Sequence, residues 1–247
     1  MRVQAILDRL AESGEVGVKE LCETLGASPA TIRRDLEGME RRGLLSRVHG
    51  GAVANGALYE LPLSFRGAHR GEKRRIAQRA ATLVSPGMKV GLTGGTTTTE
   101  LARAIAEVSE LTVVTNALNI GWELVLRPNV RLMLTGGVAL PISYELVGPL
   151  AELSIREVNL DVAFMGADGI SLLDGVTNQH EGEAATIRAL IARAVSVYVV
   201  ADRTKFDRRG FSRVCPLQDV TAVITDRGIR SDLVEECAAA GVEVITC

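Results

Sequence analysis

A short stretch of the chain, residues 28–36, combines a helix start with polar and cationic side chains. Ser28 suits a helix N-cap, because its hydroxyl can accept a hydrogen bond from a backbone N–H that lacks a helical partner. Pro29 suits the next position, where its missing N–H costs nothing. Helical periodicity places Ile32, Leu36 and Met39 on an apolar stripe and leaves Thr31, Arg33, Arg34 and Arg41 outside it. Base edges and phosphates bind such side chains, so the stretch predicts the recognition helix of a helix-turn-helix.

The neighbouring residues complete a winged helix-turn-helix. Residues 18–25 have apolar positions at helical spacing, and Gly26 after them suits a left-handed helix end. An apolar stripe over residues 3–10 predicts an earlier helix. Residues 43–52 alternate loosely and end in two glycines, as a β-hairpin wing would, with Arg47 and His49 on one face of a strand. The residues predicted to contact DNA are Ser28, Thr31, Arg33, Arg34, Arg41, Arg47 and His49.

A different interpretation of this region stays open. Capped three-helix units also occur as protein-interaction modules, and an arginine pair is often only a solvated helix face. The spacing, the turn and the wing together favour DNA binding. Phosphates would repel the carboxylate of Asp35, so we expect this side chain to orient an arginine or to support the helix.

These residues resemble the signature of the DeoR family. The matching positions are Arg2, Ile6, Leu10, Ser28, the run from Thr31 to Leu36, and the wing residues 47–52. The resemblance implies a bacterial transcription regulator, usually a repressor, with a winged helix-turn-helix and a sugar-phosphate sensor domain. Its implied partners are a double-stranded DNA operator and a phosphorylated sugar effector.

The composition is that of a globular protein without extreme charge. The 247 residues carry a formal net charge of −2, and 47% are hydrophobic while 3% are aromatic, so the cores should be aliphatic. Four cysteines without metal or disulfide spacing suit a reducing cytoplasm, and three scattered histidines argue against a metal site. No segment has the pattern of a leader peptide or a membrane span. We therefore expect a cytoplasmic protein without a metal or cofactor.

A break in periodicity divides the chain into a winged helix-turn-helix over residues 1–56, a linker over 57–71 and an α/β domain over 72–247. In the last part, short β-branched runs alternate with helical stretches. The predicted strands are 88–92, 111–115, 130–134, 161–165, 195–200, 220–224 and 242–245. The predicted helices include 97–107, 183–194 and 232–240. This order favours a mostly parallel, Rossmann-like sheet covered on both faces, with ligands bound outside the carboxyl ends of its strands.

Glycines and polar residues follow several predicted strands. The run Thr93-Gly94-Gly95-Thr96-Thr97-Thr98 precedes a predicted helix, where backbone N–H groups, hydroxyls and the helix N-terminus could hold an anion. Similar runs are Thr115-Asn116, Thr135-Gly136-Gly137 and Gly166-Ala167-Asp168-Gly169. Such residues also serve ordinary tight connections, so the prediction of a binding site depends on their convergence at one sheet edge.

This half of the chain resembles the DeoR family sensor domain, whose fold is similar to ribose-5-phosphate isomerase. The matching positions are 95–97, 114–116, 136–137, 175–177, Glu183 with Arg188, and 202–206. The resemblance implies that residues 94–98 hold a phosphate, that Asp168 and Glu183 accept hydrogen bonds from sugar hydroxyls, and that Lys205 adds positive charge. Plainer interpretations stay open, because Glu183 also suits a helix start and lysines are commonly surface residues.

The complete predicted effector set is Thr93, Gly94, Gly95, Thr96, Thr97, Thr98, Asn116, Gly136, Gly137, Asp168, Gly169, Glu183 and Lys205. Two positions depart from the usual family pattern. The family usually has an acid where Thr93 stands, and a lysine where Ile187 stands.

Two classes of function fit the sequence, namely an effector-controlled transcription regulator and a sugar-phosphate isomerase with a DNA-binding appendage. Isomerisation needs a cation to stabilise the enediolate, and the isomerases have a lysine soon after the stretch that matches Gly166–Asp168. Residues 171–175 supply none here. We therefore expect a regulator that is not an enzyme. Because a single winged helix buries little DNA-facing surface, we also expect a homo-oligomer, a dimer or a tetramer.

Overall fold

The computed structural model describes residues 2–41, 44–53 and 69–247. The chain divides into two compact units, Met1–Ala68 and His69–Cys247. Residues 57–68 of the predicted linker lie outside the described residues, and so do residues 42–43 of the predicted DNA-binding region. At the other end of the predicted linker, a helix begins at Arg70, two residues before the predicted start of the α/β domain.

Within its described residues, the first unit contains three helices around a small aliphatic core. The helices are α1 (Arg2–Ser13), α2 (Val18–Leu25) and α3 (Pro29–Glu40). Gly26 ends α2 in the left-handed conformation at φ 61°, as its position in the sequence predicts. The largest buried side chains come from all three helices, and include Ile6, Leu10, Leu21, Ile32 and Leu36.

A three-stranded antiparallel sheet packs beside these helices. Its strands are β1 (Glu15–Gly17), β2 (Ser46–Val48) and β3 (Gly51–Val53), in the order β1-β3-β2. The β2–β3 hairpin is the predicted wing. No sequence pattern indicates β1, because three residues are too few to show alternation. Gly51 is needed at this pairing, since a Cβ there would lie 2.1 Å from the carbonyl oxygen of Val16.

The second unit is built on a seven-stranded sheet in which all pairings are parallel. Its strands are β4 (Lys89–Leu92), β5 (Leu111–Thr115), β6 (Val130–Leu134), β9 (Leu160–Met165), β12 (Ala194–Val200), β14 (Ala222–Thr225) and β15 (Glu243–Thr246). The order across the sheet is β15-β14-β12-β9-β4-β5-β6. The chain therefore builds outward from β4 to one edge, returns to β9 beside β4, and then builds toward the other edge. This is the doubly wound arrangement that the sequence predicts.

Helices cover both faces of this sheet. They are α4 (Arg70–Ala81), α5 (Thr96–Ile105), α6 (Leu118–Leu124), α7 (Pro149–Arg156), α8 (Glu181–Ile191) and α9 (Ser231–Ala239). One core joins α4, α5 and α6 to alternate strand residues such as Leu92 and Phe164. Ala163 and Met165, the strand neighbours of Phe164, belong to the cores that α7, α8 and α9 complete. This alternation explains why the central strands are apolar throughout.

Short antiparallel strands, which the sequence did not predict, extend the loops. One hairpin pairs β7 (Val138–Ala139) with β8 (Leu146–Val147). A separate sheet has the order β10-β11-β13, with strands Gly169–Ser171, Gly175–Asn178 and Ser212–Cys215. These strands contain two to four residues, and their partners are determined by where the main sheet places their ends.

Asp226 ties together two loops at the carboxyl ends of β12 and β14. Its carboxylate is 1% exposed and accepts hydrogen bonds from the backbone N of Arg203 at 2.8 Å, from Arg203 Nη1 at 2.7 Å and from the backbone N of Gly228 at 3.1 Å. Burial alone would raise the pKa of Asp226, but the bonds from Arg203 and Gly228 lower it overall. The carboxylate therefore fixes the 3₁₀ turn Arg203–Lys205 in place.

We expect Asp226→Asn to lower the free energy of unfolding at pH 7 by roughly 1–3 kcal/mol, because the amide cannot replace three bonds to a charged acceptor. A carboxylate with a lowered pKa stabilises the fold above its unfolded value of about 3.9, and this stabilisation is lost as the pH falls through the folded pKa. The difference between wild type and variant should therefore shrink below about pH 4. Urea denaturation at several pH values measures this difference in the free energy of unfolding. The control is Asp219→Asn, at an exposed carboxylate. An equal loss of unfolding free energy in this variant would contradict the role assigned to Asp226.

Candidate functional site

The recognition helix α3 begins as its sequence predicts. Ser28 Oγ accepts a hydrogen bond from the backbone N of Thr31 at 3.2 Å, and the two hydroxyl oxygens lie 2.8 Å apart. Pro29 occupies the first turn. Ile32, Leu36 and Met39 are all buried. Ser28 and Thr31 thus already share a capping network, and any contact with DNA would use their remaining hydrogen-bonding capacity.

The opposite face of α3 carries exposed cationic side chains. Arg33, Arg34 and Arg41 are exposed, and within the described residues none of them forms an ion pair. Asp35 instead pairs with Arg2 of α1, where Nη2 of the arginine donates to Oδ1 at 3.2 Å. The carboxylate therefore orients an arginine and joins two helices, which agrees with the interpretation drawn from its charge.

The wing is fixed to the recognition helix through Glu40. Its Oε1 accepts a hydrogen bond from the backbone N of Arg47 at 3.0 Å, and its Oε2 lies 3.9 Å from Nη1 of the same arginine. The prediction that Arg47 and His49 share a strand face is wrong, because β2 ends at Val48 and His49 lies in the turn that follows. Both side chains are exposed. Glu40 had no role in the sequence interpretation, since a lone glutamate near a helix end carries no specific signal.

In the second unit, the strand order reverses between β4 and β9, and Thr93 joins the loops that leave these strands. Its backbone N donates to the carbonyl of Phe164 at 3.2 Å, and its hydroxyl oxygen accepts from the backbone N of Gly166 at 3.2 Å. Thr93 is 1% exposed. Doubly wound sheets bind ligands in the crevice at such a reversal. The run from Thr93 to Thr98 and the run from Gly166 to Asp168 therefore flank the expected ligand position.

The threonines after the glycine turn divide into two kinds. Gly95 has φ 129°, a conformation that favours glycine, and its carbonyl accepts hydrogen bonds from Thr98 Oγ1 at 3.1 Å and from Thr99 Oγ1 at 2.6 Å. The hydroxyl proton of Thr98 is therefore used in a hydrogen bond within the turn. Thr96 is half-buried and Thr97 is 7% exposed, and they stand at the start of α5. The backbone N–H groups at this helix start are suitable donors for an anion.

Asn116 and Glu145 form a buried pair beside the glycine turn. Asn116 Nδ2 donates to Glu145 Oε2 at 2.9 Å and to the carbonyl of Leu146 at 3.2 Å. The Glu145 side chain crosses Gly94 so closely that a Cβ there would lie 2.4 Å from Oε1. The two side chains are 2% and 4% exposed. Glu145 was missed in the sequence, because it lies 29 residues after Asn116 in a hairpin too short to predict.

The second glycine pair, Gly136-Gly137, lies beside the β7–β8 hairpin, and Gly137 permits close packing there. Gly137 has φ 128°, and a Cβ there would lie 2.7 Å from the carbonyl oxygen of Val147. Gly136 is exposed beside Leu150, at the start of α7. The hydroxyl of Thr135, just before them, is buried without a hydrogen-bond partner among the described residues. Turn geometry thus explains Gly137, while Thr135 retains an unused hydrogen-bonding group at this sheet edge.

Asp168 and Lys205 come together from separate loops. Lys205 Nζ lies 3.9 Å from Asp168 Oδ1, and Asp168 Oδ2 accepts from the backbone N of Gln179 at 3.1 Å. Gly169 permits the close passage of the chain at Arg208, whose carbonyl oxygen would lie 2.4 Å from a Cβ. A lysine is therefore present near Asp168, although the residues directly after Asp168 supply none.

Two residues of α8, Glu183 and Ile187, lie in different surroundings. Glu183 lies half-buried in the first turn of α8, and no hydrogen bond or ion pair within the described residues joins it to the other predicted effector residues. Ile187, where the resemblance leads one to expect a lysine, is 2% exposed and packs in the core with Met165 and Val199.

The described residues contain no group of three or more histidine, cysteine, aspartate or glutamate residues placed to hold a metal ion. They also contain no helix that is long and apolar enough to cross a membrane.

Known proteins resemble the chain over both units. HTH-type transcriptional regulator GlpR of Haloferax volcanii is 35% identical over 99% of this chain and 96% of its own. The lactose phosphotransferase system repressor of Staphylococcus epidermidis is 30% identical over 91% of each chain. Among solved structures, ribose 5-phosphate isomerase A of Methanocaldococcus jannaschii is 19% identical, with a TM-score of 0.40 over 54% of this chain and 53% of its own. This last likeness is a limited one and concerns the fold alone.

Two family models match the sequence, one along each unit. A DeoR-like helix-turn-helix domain matches residues 2–57, and a DeoR C terminal sensor domain matches residues 68–227. Together with relatives of 30% identity or more along the full chain, these matches establish that the protein belongs to the DeoR family of transcription regulators.

Proposed function

We propose that this protein is a DNA-binding transcriptional repressor that responds to a phosphorylated sugar. The observation that carries the proposal is the recognition helix α3, whose apolar stripe is buried while Arg33 and Arg34 are exposed and unpaired within the described residues. The Staphylococcus relative is named as a repressor of a lactose phosphotransferase system, which supports both repression and a sugar-linked signal. Binding to chromosomal DNA would also place the protein in the cytoplasm.

On DNA, the two halves of the first unit would have different tasks. The first turn of α3 would enter the major groove, where Arg33 and Arg34 can reach base edges or phosphates. Arg47 and His49 on the wing would bind phosphates, and Arg41 would do so from the end of α3. Glu40, by fixing Arg47 to the helix, would set the distance between the two contact regions. We further propose a homo-oligomer that binds a repeated or palindromic site.

We expect Arg34→Ala to weaken specific binding by roughly 1–3 kcal/mol, because a base contact would be lost. Arg47→Ala should instead weaken binding to all sequences and reduce the salt dependence by about one counterion. Fluorescence anisotropy with a fragment enriched from random DNA by the wild type measures both effects. Arg227→Ala, an exposed arginine in the second unit, is the control. If the double variant Arg33→Ala/Arg34→Ala bound this fragment as tightly as the wild type, the DNA assignment would fail.

In the second unit, we propose that the phosphate binds at the start of α5. Backbone N–H groups at Gly95 and Thr96 would donate to its oxygens, and the helix dipole would favour its charge. The sugar would then extend toward the loops after the other strands, where Asn116, Gly136, Asp168 and Gly169 lie. Lys205 would partly neutralise the combined charge of Asp168 and the ligand.

Phosphorylated sugars should therefore raise the melting temperature of the full chain, while the matched unphosphorylated sugars should not. Thr96→Val should weaken binding of the phosphorylated form at least about tenfold, since a hydrogen bond to a charged oxygen is lost. Thermal shift over a panel of matched pairs, followed by calorimetry, tests this. The control is Thr112→Val, at a half-buried threonine paired with Lys89 at the opposite end of β4. If every sugar that binds had the same affinity as its phosphorylated form, the phosphate site would be contradicted, and Gly94 and Gly95 would serve only to form a turn.

The position of Lys205 gives one reason to test the isomerase alternative directly. A lysine 3.9 Å from Asp168 supplies a cation that residues 171–175 lack. Enediolate stabilisation needs this cation next to the substrate oxygen, and here it is already paired with a carboxylate. We propose that the protein is not an enzyme and expect ribose 5-phosphate and other aldose phosphates to remain unchanged. Product formation that disappears in Lys205→Met would overturn this expectation.

A further inference from the structure

The Glu145 side chain, at the end of the β7–β8 hairpin loop, lies against the glycine turn that precedes α5. A Cβ added to Gly94 would lie 2.4 Å from Glu145 Oε1 and 2.5 Å from its Cδ. The positive φ of this turn belongs to Gly95 and not to Gly94. A left-handed backbone therefore does not account for the glycine at position 94. The closeness of the Glu145 carboxylate does account for it, since any other residue would carry a Cβ there.

Hydrogen bonds fix the position of Glu145. Its carbonyl accepts from the backbone N of Leu140 at 2.8 Å, and its backbone forms an antiparallel bridge with Ala117. Asn116 Nδ2 donates to Oε2 at 2.9 Å and to the carbonyl of Leu146 at 3.2 Å. A side-chain amide has two N–H donors, so both donors of Asn116 are used. Asn116 is therefore a positioning residue, and the carboxylate that it orients is the group that a ligand in the crevice would meet.

Two hydroxyl groups near this pair are buried without a hydrogen-bond partner among the described residues. Thr135 and Ser143 are each 4% exposed, and neither Oγ1 of the first nor Oγ of the second has a partner there. The register of β5 and β6, extended by one residue, makes Asn116 and Thr135 neighbours on one face of the sheet. Ser143 lies two residues before Glu145 in the hairpin. Buried polar groups normally have partners, so these hydroxyls suit a ligand that itself carries hydroxyls.

The hairpin does not need the negative charge of Glu145. A glutamine oxygen could accept the same hydrogen bond from Asn116. Burial of a carboxylate costs free energy, and Glu145 is only 4% exposed. The charge therefore calls for an explanation outside the packing of the hairpin. Its place beside the turn that leads into α5 provides one.

A carboxylate at this place acts on an anion bound at the start of α5. Gly94 directly precedes Gly95, whose backbone N–H is one of the proposed phosphate donors. Like charges this close repel each other, most strongly where water is excluded. A phosphate ester without a hydroxyl group has nothing to offset this repulsion. A hydroxyl near the phosphate can offset it, because a hydrogen bond to a charged oxygen is stronger than one between neutral groups.

We propose that Glu145 is a specificity-determining residue of the effector site. It selects phosphate esters that carry a hydroxyl close to the phosphate, because this hydroxyl donates to its carboxylate, and it repels esters that lack one. The inference rests on the proposed phosphate site and names the class of ligand that the site accepts. A small polyol or sugar phosphate belongs to this class, and a simple alkyl phosphate does not.

Methyl phosphate, which has no hydroxyl group, tests the repulsion. At about pH 8 the ester is a dianion, since its second pKa is about 6. In calorimetry with the full chain, Glu145→Gln should bind methyl phosphate at least about tenfold more tightly than the wild type does. The control is Glu157→Gln, at an exposed glutamate between α7 and β9, which should bind as the wild type does. No gain in Glu145→Gln overturns the proposal. Weaker binding also overturns it, because Glu145 would then donate a proton to the phosphate.

Deoxy analogues test the hydroxyl contact. For the sugar phosphate that binds best in the panel of matched pairs, loss of one hydroxyl near the phosphate should weaken binding to the wild type at least about tenfold. The same loss should matter little to Glu145→Gln, because the charged acceptor is gone. Equal losses in both proteins for every analogue overturn the proposal. If the variant does not keep the wild-type melting temperature, the wild type alone decides, and equal affinity for methyl phosphate and the sugar phosphate overturns the proposal.

The two arms separate this inference from the proposed function. If sugar phosphates bind the wild type and Glu145→Gln gains no affinity for methyl phosphate, the effector site stands and the role of Glu145 fails. If no sugar phosphate in the panel binds, the proposed effector fails, and the methyl phosphate arm still decides whether Glu145 repels an anion at the start of α5.

Discussion

The constraint on which the second unit depends is the reversal of strand order between β4 and β9. Loops that leave neighbouring strands at a reversal run to opposite faces of the sheet, so a crevice opens between them. Thr93 bridges that crevice with its backbone N–H to Phe164 and its hydroxyl oxygen to Gly166. The start of α5 and the loop that carries Asp168 are thereby held at the two sides of one crevice. The proposed effector site needs both.

Close chain crossings then bring distant segments to this sheet edge. The Glu145 side chain passes over Gly94, the carbonyl of Val147 meets Gly137, and the carbonyl of Arg208 meets Gly169. At each crossing a Cβ would come within 2.7 Å of the other segment. The glycines therefore do two things that the sequence cannot separate. They permit turns at strand ends, and they admit segments that carry Glu145 and Lys205 toward the crevice.

The sequence was sufficient for the main sheet because its strands are long enough to show a pattern. The predicted 111–115 and 130–134 match β5 and β6 at both ends, while the predicted 220–224 starts two residues before β14. The cap at Ser28 was predictable because capping is local chemistry. Glu145 and Asp226 were not, since each acts through partners more than twenty residues away. Lys205 was foreseen as a source of charge from family resemblance, and its pairing with Asp168 follows only from the fold.

The two units illustrate different uses of charge. In the first, Asp35 and Glu40 occupy Arg2 and Arg47, and this pairing fixes the positions of the recognition helix and the wing while Arg33 and Arg34 remain available. In the second, the carboxylate of Asp226 is 1% exposed and accepts hydrogen bonds from the backbone of Arg203 and Gly228 as well as from the guanidinium of Arg203. Salt screens the solvent-accessible pairs of the first unit more strongly than it screens a buried carboxylate. The geometry between the recognition helix and the wing therefore depends more on the surrounding salt than does the geometry of the turn that carries Lys205.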